Sequence, residues 1–364
     1  MTVAYLALAL SIVAVVIACV AAWWANVAFR RSKPVRRLTP ALSPARATEE
    51  PRSPGESGCW VIYNPVKIAD LDTFTAQVSA TASAAGYPEP IFVPTRHIDG
   101  GISCAREAAQ AGASLIVVAG GDGTVRLVCG ALAHTGIPIG IIPVGTGNLL
   151  ARNLGIPIDS LPQAAAIAFT GKDTALDLGH VHLDRADADH PFLVIAGIGF
   201  DGDMMAGTSS GLKDRLGWGA YVLSGVAALR RPPMELSLRL ARSTRPRRLR
   251  ARTLLFASCG ELTAGLQLVP GADPTDGWME VTMIDVRGGL LGWVELASRV
   301  TTRALGGKNR VAAVTSTMTT ERSQAASVTL AGEPRQVQVD GDPIGDATHL
   351  EVALDPHALI VRTR

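Results

Sequence analysis

The sequence predicts a chain in three parts: an N-terminal membrane-spanning helix, an α/β domain on a parallel sheet, and a second domain made mainly of β-strands. Three observations carry this prediction. Residues 3 to 25 hold no charged side chain. From Cys59 to about residue 172, apolar runs alternate with helical stretches, and glycine clusters follow two of the runs. From about Thr174 the pattern changes to short strands. The 364 residues leave room for two domains beside an N-terminal appendage, and 48% hydrophobic against 18% charged residues suits well-formed cores.

The span from Val3 to Ala25 exceeds the roughly 20 apolar residues that a helix needs to cross a bilayer. Trp23 and Trp24 fall where an interfacial aromatic belt belongs, and Arg30, Arg31, Lys33, Arg36 and Arg37 follow with no Lys or Arg before the span. The positive-inside rule then sets residues 1–29 as a single-pass anchor in the cytoplasmic membrane with everything after it in the cytoplasm. A cleaved signal peptide is the other reading, but the basic leader is missing and the run is too long. Residues 30–58 have linker composition, with five prolines and 7 Lys or Arg against 3 Asp or Glu. Their partner is an anionic lipid surface, unless the charges serve only as a topology signal. The remaining residues hold 27 basic against 29 acidic side chains and no basic helix, which argues against nucleic acid as a partner. Five scattered cysteines without a CxxC pair suit a reducing compartment.

Within 59–172 the elements come in order. Trp60 to Tyr63 is a strand that runs into the turn start Asn64-Pro65. Leu71 to Ala85 is a helix stopped by Gly86, and Pro90 to Val93 a second strand ending at Thr95. An Ala-rich helix over 102–112 precedes the apolar run Leu115 to Ala119, which ends in Gly120-Gly121-Asp122-Gly123-Thr124. A β-branched run stopped by two glycines reads as a buried parallel strand entering its C-terminal loop, where ligands of open α/β sheets collect. Thr124 to His134 is the next helix, its N-terminus facing that loop and favouring phosphate. A short run from Ile139 to Ile142 then ends in Pro143-Val144-Gly145-Thr146-Gly147-Asn148.

Two glycine loops on successive strands can face one ligand. Glycines let a polyphosphate approach main-chain N–H groups, and Asp122 puts a carboxylate among them. That carboxylate makes sense beside phosphate if a divalent cation lies between or if it takes a proton from an attacking hydroxyl. A tight strand-to-helix turn with an N-cap Asp is the plainer reading of GGDG alone. Neither loop fits GxxxxGK[ST] or a GxGxxG that opens a helix, so this is neither a P-loop nor a dehydrogenase pattern.

In the β-rich half, Leu176 to Leu178, Phe192 to Ala196, Glu235 to Leu240, Thr253 to Ser258, Met279 to Asp285 and Ser327 to Leu330 read as strands, with helices at Leu212 to Arg231 and Leu290 to Leu305. Arg335 to Val339 alternates as a strand before the turn at Asp340-Gly341. His180, His182, Asp187, Asp189 and His190 sit on a strand and polar hairpin whose spacing matches no zinc pattern. The arginine run from Arg242 to Arg252 reads as a solvated hairpin, with membrane docking as the rarer alternative.

GGDGT, the segment Pro143 to Pro157, and Tyr63-Asn64-Pro65 together resemble the diacylglycerol kinase catalytic-domain family, which includes bacterial diacylglycerol kinases, sphingosine kinases and ceramide kinases. The likeness runs from about Cys59 to the C-terminus. It implies a three-layer α/β domain like that of NAD kinases and phosphofructokinases over 59–172, and a β-sandwich over 173–345. ATP and lipid would meet in the cleft between them, and the final segment, 346–364, either stands apart or returns to the first domain.

The resemblance also implies roles. Asp122 acts on the acceptor hydroxyl, and Asn64, Thr95, Gly120, Gly121, Gly123, Thr124, Gly145, Thr146 and Asn148 hold the nucleotide, with Lys67 a phosphate neighbour. Asp273, Asp276 and the carbonyl of Trp278 hold a structural magnesium ion, although an Asx-turn explains the same residues. Asp201 or Asp203 accepts a hydrogen bond from the lipid head, or is simply a solvated loop residue. Three departures stand out: Lys67-Ile68 replaces a usual Ser-Gly, Leu149 replaces a common Asp, and Asp342 replaces a catalytic Glu with a side chain one methylene shorter. The implied activity is transfer of the γ-phosphoryl of ATP, with Mg²⁺, to a neutral membrane lipid, most simply diacylglycerol. An NAD kinase relative and a non-catalytic pseudokinase are the alternatives, and monomer or homodimer is left open.

Overall fold

A computed structural model describes residues 58–184, 188–199, 233–261, 268–286 and 316–364. The expected anchor and almost all of the linker, the helices expected at 212–231 and 290–305, and Asp187, Asp201 and Asp203 lie outside these residues. Among the described residues no helix is long and apolar enough to cross a membrane.

The first half alternates as expected: β1 (Cys59–Tyr63), α1 (Leu71–Ala84), β2 (Ile91–Pro94), α2 (Ile102–Gln110), β3 (Leu115–Gly120), α3 (Asp122–Ala131) and β4 (Pro138–Pro143). Two helices that periodicity did not reveal follow, α4 (Leu149–Asn153) and α5 (Leu161–Thr170). The strands β2-β1-β3-β4 lie side by side and parallel. Every residue of β3 is buried, because both sheet faces are covered. Leu115, Val117 and Ala119 pack with Phe74 and Val78 of α1 and Phe169 of α5. Ile116 and Val118 pack with Cys104 of α2 and Val128 of α3. The result is three layers. The helix expected from Thr124 begins instead at Asp122, since Gly121 takes the N-cap position in extended conformation (φ −88°, ψ −179°).

The second half runs β5 (Lys172–Leu183), β6 (Asp189–Phe192), β7 (Ile195–Ile198), β8 (Met234–Leu240), β9 (Arg247–Ala251), β10 (Thr253–Ala257), β11 (Met279–Val286), β12 (Ser316–Ser323), β13 (Ala325–Leu330), β14 (Arg335–Val339), β15 (Asp342–Ala347) and β16 (His349–Thr363). Six of these strands form a sheet of their own in the order β12-β11-β10-β7-β14-β15. The others join the parallel strands in a ten-stranded sheet, β2-β1-β3-β4-β16-β13-β8-β9, with β5 on β16 and β6 on β5. Val181, Phe192, Leu238 and Val352 from the larger sheet meet Ile198, Phe256, Val281 and Val339 from the smaller one in a single core.

One strand joins the halves. The N-terminal part of β16 pairs antiparallel with β13 and β5, and beyond an irregularity between Asp355 and Leu359 its end stays on β5 and pairs parallel with β4 at Ile360 and Val361. The single strand expected over Phe192 to Ala196 is broken into β6 and β7. The carboxylate of Asp340 fills the break and accepts the N–H groups of Leu193, Val194 and Ile195 at 2.8 to 2.9 Å. Asp340 (φ 47°) and Gly341 (φ 91°) are both left-handed, the two-residue turn that suits an antiparallel hairpin.

Candidate active site

The two glycine loops lie against each other. A Cβ on Gly145 would come within 2.5 Å of the Gly121 Cα, so only glycine permits this approach of main chain to main chain. The loops are also stitched together, with Val144 N donating to Gly120 O at 3.1 Å. Asn148 closes the second loop on itself: its Nδ2 donates to Gly145 O at 2.7 Å and its Oδ1 accepts from Gly145 N at 3.0 Å. Its left-handed backbone (φ 49°) is one that asparagine tolerates well. Arg152 Nε supports the same loop at Gly147 O, 2.8 Å away.

Asp122 lies where the loops meet. Its Oδ1 accepts the Leu149 N–H at 2.5 Å, and its Oδ2 faces Gly147 so closely that a Cβ there would sit 2.6 Å away. Burial pushes its carboxyl above the ordinary carboxylate value, the N–H groups of Leu149 and Asn148 pull it back, and the nearby charge of Asp342 raises it again. A carboxylate tuned upward in this way is a better proton acceptor than a solvated one.

Asp342 reaches the same point from the other half. The turn at Asp340-Gly341 carries it to the start of α3, where its Oδ2 would lie 3.0 Å from a Cβ on Gly123. Sequence reasoning missed its partner: Arg126 Nη2 donates to Asp342 Oδ2 at 2.8 Å, and Nη1 to Pro191 O of β6 at 3.4 Å. The available signal was a basic residue one helical turn beyond Asp122. It also missed Asp340, which is buried and pushed up to about 6, chiefly by loss of solvent.

The remaining expected residues divide into two groups. Asn64 and Thr95 stand at the ends of β1 and β2 on the same sheet edge; Asn64 Nδ2 points to Thr124 Oγ1 at 3.5 Å, and Thr95 N donates to Tyr63 O at 2.8 Å. Gly120, Gly121, Gly123 and Thr124 form the turn into α3, and Thr146 is exposed on the second loop. Gly121 caps α3 without a side chain, which leaves the first-turn N–H groups for an anion. These loops therefore fit a polyphosphate. The gap between them, lined by Gly121, Asp122, Val125 and Asn148, has room for about one water molecule, so phosphate would lie along the rim.

The loop 268–278 is elsewhere. Asp273 Oδ1 accepts from Thr275 N and Oγ1 at 3.0 and 2.7 Å, and Asp276 Oδ1 accepts from Trp278 N at 3.0 Å. The other oxygen of Asp276 is paired with Arg322, whose Nε also reaches Glu280 Oε1 at 3.1 Å. Arg242 stacks on the Trp278 ring at 4.7 Å. Among the described residues no three His, Cys, Asp or Glu converge to hold a metal. With a guanidinium on Asp276, this loop as it stands does not fit a magnesium ion. The histidine cluster is a cross-strand pair: His180 Nδ1 meets Asp189 Oδ2 at 2.6 Å and His182 Nε2 meets Oδ1 at 3.4 Å.

Residues 58–181 match the family model described as the diacylglycerol kinase catalytic domain. A diacylglycerol kinase of Bacillus subtilis (strain 168) is 36% identical over 172 residues, 46% of this chain and 54% of that protein. A "Probable lipid kinase YegS-like" of Pseudomonas aeruginosa is 31% identical over 260 residues, 70% of this chain and 78% of that protein. The chain spans a little over half the length of the first relatives it matches. The crystal structure of a diacylglycerol kinase from Bacillus anthracis str. Sterne superimposes with a TM-score of 0.64 at 20% identity, covering 85% of this chain and 97% of that one, a likeness of fold.

Proposed function

The chain belongs to the diacylglycerol kinase catalytic-domain family, and from that premise we propose that it is a lipid kinase which moves the γ-phosphoryl of ATP to the hydroxyl of a neutral membrane lipid, diacylglycerol first among them. The observation that carries this reading is the convergence of Asp122, both glycine loops and Asp342 on one sheet edge. Main-chain N–H groups at the start of α3 and in the loop 145–148 hold the phosphates, while Asn64 and Thr95 border the nucleotide. Asp122 accepts the proton of the lipid hydroxyl as the oxygen attacks phosphorus. When bound, Mg²⁺ arriving on ATP supplies charge neutralisation that a loose phosphoryl-transfer transition state requires. Asp201 and Asp203 remain candidates for the lipid head.

Residues 3–25 are proposed to anchor the enzyme with its catalytic part on the cytoplasmic side. Tethering suits an acceptor that never leaves the bilayer, since it raises the local concentration of one reactant over the other. The test is full-length protein in mixed micelles with labelled ATP, Mg²⁺ and a panel of lipids. Label in phosphatidic acid supports the reading; label in another lipid changes the acceptor; label only in added NAD overturns it in favour of a dinucleotide kinase. Binding of ATP with no transfer to any acceptor overturns it in favour of a sensor.

A further inference from the structure

Arg126 is a charged side chain in an unusual position. Only 6% exposed, it sits on the second turn of the helix that opens at the glycine loop, where α3 packs against β6 and Arg126 reaches Asp342. Its two terminal nitrogens are engaged with Asp342 and with the Pro191 carbonyl, yet its Nε is buried with no hydrogen-bond partner among the described residues. Leaving a buried donor unmet costs about 1 to 3 kcal/mol, so stability alone does not explain a guanidinium here. What it faces does. From the hairpin turn come Asp340 and Asp342, and from β6 the ring of His190, while Asp122 lies near enough to Asp342 to feel its charge. Three carboxylates and one guanidinium share the seam between the halves.

The charge of Asp342 raises the Asp122 carboxyl, and two neighbouring carboxylates with no cation between them compete for the same role. A cation bound to one of them breaks that symmetry. We propose that Arg126 is a positioning residue that divides the work between the two acids: its 2.8 Å ion pair pins Asp342 at the start of α3 and leaves Asp122 alone to take the proton from the acceptor. Asp342, with its shorter side chain, then serves to orient the acceptor hydroxyl or the cation on the nucleotide. The inference rests on the lipid kinase reading for its chemistry, while its electrostatics can be measured without turnover.

The experiment compares the unchanged protein with Arg126→Gln, Arg126→Lys, and Arg126→Gln combined with Asp342→Asn. Two readouts are taken: the acid limb of the kcat/KM pH profile for lipid phosphorylation, and the carboxyl titration of Asp122 followed by ¹³C NMR without substrate. Removing Arg126 exposes Asp122 to an uncompensated Asp342. Both midpoints then move to higher pH by at least one unit, and kcat falls at least 10-fold while KM for ATP changes less than 3-fold. Arg126→Lys keeps the charge and recovers most of both. The double variant returns the Asp122 midpoint to within half a unit of the unchanged protein. An Arg126→Gln protein that melts normally and shows an unshifted Asp122 titration overturns the proposal. If Arg126→Gln does not fold, an Asp122 midpoint that Asp342→Asn alone does not lower overturns it instead. Should the unchanged protein phosphorylate no lipid, the functional reading falls, and the NMR titration still decides the role of Arg126.

Discussion

The glycine loops after β3 and β4 and the loop before β11 are made of the same materials, glycine and aspartate, and treat their carboxylates in opposite ways. At the first, Asp122 is held by main-chain N–H groups of Asn148 and Leu149. At the second, Asp276 is held by the guanidinium of Arg322, which also takes Glu280. Peptide dipoles orient an anion without cancelling it, so Asp122 keeps its full charge and stays a base. A guanidinium neutralises its partner and fixes it in place. The first arrangement suits chemistry and the second suits architecture.

The largest test of that contrast is Asp122→Asn. It should lower kcat for lipid phosphorylation by about 10³-fold, within the usual range for loss of a general base, with an unchanged melting temperature. Arg322→Gln should leave kcat as it was. In the unchanged enzyme, activity should fall as pH drops through a midpoint above the ordinary aspartate value, because burial raises Asp122.

Asp340 carries the main-chain solution to its limit, with three N–H donors around a buried carboxylate. Its folded-state carboxyl titrates near 6, above the 3.8 of an exposed one. Between those values the folded protein keeps a proton that the unfolded chain has lost. This contribution to stability is therefore full below pH 4 and disappears as pH rises to about 6, a change of about 3 kcal/mol. Urea midpoints measured across that range should show the slope, and Asp340→Asn should flatten it.

Gly145→Ala adds one methyl where 2.5 Å is available against the Gly121 main chain. Parting the loops by about 1 Å should lower kcat/KM about 100-fold. The smallest effect belongs to the second loop: Arg322→Gln should destabilise the fold by about 1 to 2 kcal/mol, since Glu280 is largely buried and loses its partner. With Asp276 released, Mg²⁺ should raise the melting temperature of this variant but not that of the unchanged protein.

Much of the α/β half was legible because its signals are local. A β-branched run closed by two glycines announces a buried strand and its loop, and β3 and α3 lie within three residues of where the pattern put them. The seam was not legible in the same way. Asp340 breaks β6 from β7 from a position more than 140 residues later in the chain, and Arg126 finds Asp342 at a separation of 216 residues. Strands β12 (STMTTERS) and β15 (DPIGDA) show little apolar alternation and draw their order from a single pairing each, with β11 and with β14, more than from their own sequence. Asp122, the residue on which the reading depends, declared itself because the glycines that flank it in sequence mark the loop it occupies, although its partners Gly147 and Leu149 come from the second loop.

Strand β16 has a consequence for how the protein is made. The nucleotide half is nearly complete by residue 170, yet the flank of β4 is paired at Ile360 and Val361. A ribosome that has released the first 172 residues has delivered an unfinished sheet whose exposed flank invites mispairing with another nascent chain. Maturation of the first half must wait for the last strand, so both halves are expected to gain protease resistance together, in a single late step of synthesis.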